Sequence, residues 1–371
     1  MSFIRDNILK IFIMTIIIVI LIIGFSACSR KGTPTTTAEK YENVESQMIE
    51  ASKSLISDQK RFLPTKIGQT KKILLSKLVK NNKMNQPYAN ENRNYACKGY
   101  VTVKLKDKKD YFFRAFLNCG KYYKTRTMAD YILKTEEIVT KDTGLYQEGA
   151  FYVYKGENPN NRVLIGERLY RIIYINNKGE LKLVSTKAFD SSSWDDRYNS
   201  EVNKNYGINN FDKSRLRDAL DLIYNPVEKY SEFLTDERKF VTDHDFCISK
   251  ISIETVNSKK LTREDECKDT YSMKVGLINP SDYLGASIDP MCNSSTTEAC
   301  QNYNYFYSIT STMSTMNAVS NDTYEVYTID EGVVNIKKAY ISSRMYPVIY
   351  LDKSTFYKSG DGSELNPYII R

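Results

Sequence analysis

The chain holds one histidine and one tryptophan in 371 residues. A histidine-built metal centre is thereby excluded from a single copy, since such sites draw on two or three imidazoles. No CxxC and no Cys/His spacing of the zinc type occurs among the seven cysteines. The glycines, Gly360-Asp361-Gly362 among them, form no phosphate-cradling loop. Charge is missing altogether from Ile11 to Phe25. Together these absences argue against a histidine-metal centre, a CxxC or zinc-type cysteine site and a phosphate loop, and they direct attention to an apolar leader and a set of separated cysteines.

What remains is a globular composition, 41% hydrophobic and 26% charged, with 29 tyrosines. The length predicts two domains after the N-terminal segment. Formal charge is +8 but unevenly spread: residues 53–125 carry 18 Lys and Arg against 4 Asp and Glu. A basic first domain and a mildly acidic second one follow. Anionic lipid headgroups, anionic wall polymers and nucleic acid all suit the basic part electrostatically, as does a plain solubilising surface. Nucleic acid ranks last, because no aromatic residues interleave with the basic ones to stack on bases.

Arg5 and Lys10 precede the run IFIMTIIIVILIIGF, a basic region followed by an apolar one. Extended to Cys28, the uncharged stretch reaches the lower limit for a membrane-spanning helix. Flanking charge gives no orientation, since Arg30 and Lys31 follow as Arg5 and Lys10 precede. Phe25-Ser26-Ala27-Cys28 resembles a bacterial lipobox, in which the cysteine is lipidated and the chain cut before it. Residues 1–27 are thus a signal sequence or a retained anchor, with an ordinary secretory cut as the third reading. Residues 28–37 are a Gly/Pro/Thr tether. Each reading predicts export, and the first two place the protein at the extracellular face of the cell membrane.

Export implies an oxidising surrounding in which cysteines pair. Cys97 and Cys119 flank YVTVKL and YFFRAFL, two strand-like arms about the polar tip KDKKD, whose centre is Lys108. Cysteines equidistant from a turn face each other at bridging distance. Cys247 and Cys267 have Asn257 at their midpoint, inside the turn-like VNSKK, and Cys292 and Cys300 enclose a short polar loop. Three disulfides are expected from these neighbours, leaving Cys28 for lipid or as a free thiol at the membrane edge.

Periodicity predicts a helix over 36–60, with Thr36 and Glu39 as a capping box and Tyr41, Val44, Met48, Ala51 and Leu55 as its buried stripe. Pro64 ends it, and a short helix near LLSKLVK precedes the hairpin. This region, with Cys97-Lys98-Gly99-Tyr100-Val101-Thr102-Val103 and Leu117-Asn118-Cys119-Gly120, resembles the type IV pilin-like sequences of Gram-positive cell surfaces over about 38–125. The prepilin cleavage signature is missing. The resemblance implies a small helix-plus-sheet domain, assigned to 38–140, and pilin-like proteins as partners.

From Gly144 onward, strand-like runs alternate with turns: FYVYKG, NRVLIG, LYRIIYI and LKLVS, later VVNIKKAYIS, YPVIYLD and NPYII. A helix is predicted at SRLRDALDLIY, with Leu216, Ala219, Leu220 and Ile223 on one face and Pro226 closing it. These pieces, with KGENPNNRVLIG, SWDDRYNSE, CISK, KVGLINPSDYLGASID and NYNYFYS, resemble an uncharacterised bacterial surface-domain family of C-type-lectin-like architecture across about 145–371. Tyr170 and Tyr346 stand where that family usually has Trp and Arg. The fold expectation is α+β: an N-terminal hydrophobic helix, a pilin-like helix-plus-sheet domain, and a β-rich lectin-like domain over 141–371.

Trp194, Asp195 and Asp196 invite comparison with the calcium-and-sugar sites of lectins, where a hard cation takes six to eight oxygens. Glu157, Asn158 and Asn160 are a second oxygen-rich set. Turns are rich in Asp and Asn for backbone reasons too, so Trp194, Asp195 and Asp196 are kept as ligand-binding candidates without a metal. His244 lies between Asp243 and Asp245 as a base beside carboxylates, but no nucleophile accompanies it. Lectin-like folds include oxidases that use reactive cysteines or a histidine triad; one histidine and six pairable cysteines argue against that chemistry. The expectation is a non-enzymatic exported protein with no cofactor. It binds a glycan, wall polymer or protein, with a structural part in a pilin-like envelope assembly as the alternative.

Overall fold

The computed structural model describes residues 37–90, 92–107, 110–225 and 237–371. The hydrophobic segment, Cys28, the tether, Thr36, the hairpin tip at Lys108 and Pro226 lie outside the described residues, as does the side chain of Glu39. The chain is α+β and divides into two compact units, one ending at Thr125 and the next beginning at Arg126.

In the first unit the helix Thr37–Asp58 covers a three-stranded antiparallel sheet of Thr70–Leu74, Lys98–Asp107 and Asp110–Asn118. Tyr41, Met48, Ala51 and Leu55 are buried, the stripe that the i, i+3, i+4 spacing predicts. Glu45 lies on the same face and is buried too, accepting hydrogen bonds from Tyr123 Oη at 3.0 Å and from the Thr125 hydroxyl. Nothing in the periodicity marks it. The hairpin register sets Lys98 opposite Asn118, and one further step brings Cys97 and Cys119 together, bonded at a Cα separation of 4.3 Å. Gly99 is needed there, because a Cβ would fall 2.3 Å from the Phe116 carbonyl oxygen.

The second unit is built on a twisted sheet whose long strand is Arg168–Ile175. Leu181–Ser185 pairs along one edge, and Arg162–Ile165 and Phe151–Lys155 share the other. Val348–Leu351 extends the sheet on one side, and Tyr368–Ile370 runs parallel to Arg162–Ile165 on the other. A second sheet contains Lys250–Ile251, Thr312–Val319, Glu325–Asp330 and Val333–Lys338. Near-continuous burial along Leu181–Ser185 and Thr312–Val319 shows strands covered on both faces.

Two features differ from the sequence reading. The helix Met128–Thr135 falls in the second unit, not the first, because Met128, Ala129 and Ile132 join its core. The first three residues of VNSKK are not a turn: the helix Ile253–Ser258 takes them, capped by Ser252 Oγ accepting from Thr255 N at 3.2 Å and held inward by Val256. Cys247 and Cys267 are nonetheless bonded, as are Cys292 and Cys300. The predicted helix spans Arg215–Tyr224, with Leu216, Leu220 and Ile223 buried and Ser214 as its N-cap. Among the described residues no helix is long and apolar enough to cross a membrane.

Candidate functional site

Trp194 and Asp195 are buried, and the carboxylate of Asp195 is taken up by Arg197, through its backbone N–H at 2.9 Å and its Nε at 3.0 Å. Asp196 is exposed and pairs with Arg215 at 2.8 Å. Leu216 N donates to Trp194 O at 2.9 Å. Gly207 closes against this segment with φ of +75°, where a Cβ would meet the Asp195 carbonyl. The Trp-Asp-Asp stretch thus clips the helix Arg215–Tyr224 to the body, and its carboxylates already have cationic partners. Glu157, Asn158 and Asn160 are exposed on the turn before Arg162–Ile165. Among the described residues no group of three or more His, Cys, Asp or Glu is placed to hold a metal ion.

His244 stacks on Tyr350 with ring centroids 3.5 Å apart, and its Nδ1 lies 3.8 Å from Glu180. Burial lowers its pKa, against the pull of Glu180. The neighbours in sequence play other parts: Asp243 pairs with Lys274 at 2.8 Å, and Asp245 sits in the pairing of His244–Cys247 with Thr270–Met273.

A different place gathers polar groups around a concavity. A cleft of about 670 Å³ opens between the sheet and residues 260–285. Phe151, Val153 and Lys155 come to it from one strand, Ile173 and Tyr174 from the long strand, and Lys260, Arg263 and Glu264 from the opposite wall. Strand geometry explains the first set, since residues two apart share a face. The opposite wall is fixed by the Cys247–Cys267 disulfide and by Asp265, which accepts from Thr262 N at 2.9 Å at the start of the short helix Arg263–Glu266.

The cleft floor is a buried charge network. Lys182 and Asp282, each under a tenth exposed, pair at 2.5 Å. Asp282 also accepts from Asn279 N at 2.8 Å, the reciprocal cap of the helix Pro280–Ala286. Asn279 donates to Cys247 O at 2.8 Å and to Asn317 at 2.7 Å. Glu266 is fully buried and accepts from Ser281 N at 2.7 Å and from the Ser281 hydroxyl. Burial, with Asp282 adding to it, pushes Glu266 up to about 8. Tyr174 and Tyr350 join hydroxyls at 2.6 Å beneath the Lys182 ammonium.

Above this floor Arg263 lies between two rings, its guanidinium 4.0 Å from the Phe151 centroid and 3.8 Å from that of Tyr174. Lys155 pairs with Glu148 at 2.5 Å. Lys260 is half-buried and lowered to about 8, first by burial and then by the charge of Lys155. A cationic rim over a satisfied polar floor suits recognition of a polar, electron-rich ligand.

None of Lys182, Lys260, Arg263, Glu266 or Asp282 stands out in the sequence. The one legible sign was Asn279-Pro280-Ser281-Asp282, whose spacing and proline announce a helix start. Lys182 sits in a strand that reads as alternating, where a lysine is ordinarily taken as outward-facing. Comparison with protein-family models, with curated proteins and with solved structures finds no match for the chain.

Proposed function

We propose that the protein is a non-enzymatic, exported surface protein, held at the membrane through its N-terminal segment, whose second unit binds an extracellular ligand in the cleft beside Arg263. The observation that carries this reading is the state of the cleft's acids. Asp282 is spent on Lys182 and Asn279, and Glu266 on Ser281, so neither is presented as a general acid or base. Cations and an aromatic edge face the opening, with the exposed carboxylates of Glu148, paired with Lys155, and Glu264 among them. Three disulfides support a destination outside the reducing cytoplasm. The resemblance of 145–371 to a lectin-like surface family supports a glycan or wall polymer as ligand.

The test is retention of the full chain on purified wall fractions and on a glycan array, with Arg263→Ala beside it. Binding that drops with Arg263→Ala supports the reading. No retention above background on either surface ends it.

A second reading is favoured by the first unit, where a helix packs on a disulfide-stapled sheet in a region that resembles pilin-like sequences. It makes the protein a structural part of an envelope assembly. Cross-linking on cells should then recover pilin-like partners, and recovery of monomer alone counts against it.

A further inference from the structure

We infer that Lys260, with Lys155 beside it, receives the acid group of a hydroxyl-rich acidic polymer in this cleft. The inference rests on the ligand-binding reading above and adds the ligand's chemistry.

Lys260 faces the cleft half-buried, and among the described residues no carboxylate pairs with it. Glu148, whose charge acts on Lys260, is held by Lys155 at 2.5 Å. One lysine therefore takes the carboxylate while the other stays without a paired anion in a pocket that removes part of its water. A cation desolvated beside a like charge is relieved by an anion entering from solvent. Carboxylate and phosphate diester both supply one, and both are acceptors for an ammonium.

The remaining walls decide what carries that anion. Glu148 and Glu264 are exposed on the cleft beside the cations, so donors and acceptors alternate along its lining. A sugar or polyol hydroxyl needs both, giving its proton to a carboxylate and taking one from Lys or Arg. An acidic peptide brings carboxylates against Glu148 and Glu264 with few hydroxyls to bridge them. The volume lies within the range of pockets that enclose a ligand of several rings.

Calorimetry on the full chain in detergent tests this with four probes: a galacturonate oligomer, a glycerol phosphate oligomer, a neutral glucose oligomer and an Asp/Glu-rich peptide. At least one acidic oligomer should bind about tenfold or more tightly than the neutral one, the loss expected when one charge-assisted hydrogen bond is missing. Which acidic oligomer binds better separates a carboxylate ligand from a phosphate ligand. Lys260→Gln should remove that preference by weakening the acidic oligomer about tenfold more than the neutral one, while Lys260→Arg keeps it. Equal binding of acidic and neutral oligomers, unaltered by Lys260→Gln, overturns the inference and leaves the binding reading standing. Preference for the peptide overturns the polymer assignment. Binding of none of the four overturns the inference, and retention on wall fractions and the glycan array then decides the binding reading by itself.

The acidic preference should also fall as pH rises above 8, because Lys260 then loses its proton. Lys155, Glu148, Arg263, Glu264 and Asp282 face the same cleft, and Glu266 beneath it titrates in the same range. Lys260→Arg distinguishes them: a flat profile supports Lys260, and a persistent fall assigns the effect to Glu266 and counts against the inference.

Discussion

The two units bury polar groups to different ends. Among the described residues the first buries one carboxylate, Glu45, against the hydroxyls of Tyr123 and Thr125 beyond its last strand, and one guanidinium, Arg114; its core is otherwise a helix stripe against strands. The second sinks a lysine, two acids and two asparagines beneath one cleft, joining Lys182, Asp282, Asn279 and Asn317 to one another and holding Glu266 through Ser281. A core needs no such network for stability, since apolar replacements of buried ion pairs are often neutral or better. Its placement under a concave surface ties it to holding that surface in one shape.

The sharpest way to break this contrast is Asp282→Ala. Lys182 is then left buried without its anion, and the second unit should lose about 3–5 kcal/mol, while the first is unaffected. Hydrogen exchange read separately over 37–125 and 126–371 shows it. Lys182→Met with Asp282→Leu should recover most of the loss. Recovery supports a network kept for shape, and no recovery means that the pair itself stabilises the fold.

Next comes the staple of the first unit. Cys97→Ser with Cys119→Ser opens a loop whose ends are 22 residues apart, and should cost about 3 kcal/mol in denaturant melts of that unit. The same change at Cys292 and Cys300, 8 residues apart, should cost less by the loop-length argument.

A third effect is a pH slope. The carboxyl of Glu266 is raised from 4.5 to about 8 on folding, mainly by burial. The folded form therefore holds a proton that the unfolded form releases. Its contribution is fully present below pH 4.5 and is lost as pH rises through 8. Glu266→Gln should flatten the fall in stability between those limits, measured by thermal melts across the window.

How far the sequence could be read follows the same division. In the first unit the information is local: one hairpin sets the register, so equal spacing of Cys97 and Cys119 about the turn is enough to pair them. Its strand Thr70–Leu74 went unseen because only Ile73 of its five residues is buried. In the second unit, Cys247 and Cys267 are separated by two helices, so their pairing was legible while the path between them was not. The cleft was illegible for a stronger reason. Lys182, Arg263, Glu266 and Asp282 come from three separate elements, and each alone reads as solvated charge. Only tertiary structure turns them inward and gives each a partner. Trp194-Asp195-Asp196 shows the opposite case, a site candidate within one stretch whose carboxylates pair with Arg197 and Arg215.

The strand Tyr368–Ile370 has one more consequence. It lies between Arg162–Ile165 and Tyr357–Ser359, and Arg371 exchanges backbone hydrogen bonds with Phe356. During synthesis the first unit has every residue it needs once Thr125 has emerged, whereas the main sheet of the second stays open until residue 370 is out. The ribosome therefore releases two kinds of cargo in one chain: a piece able to fold early, and a long unfinished sheet that must be kept from pairing with anything else until its closing strand arrives.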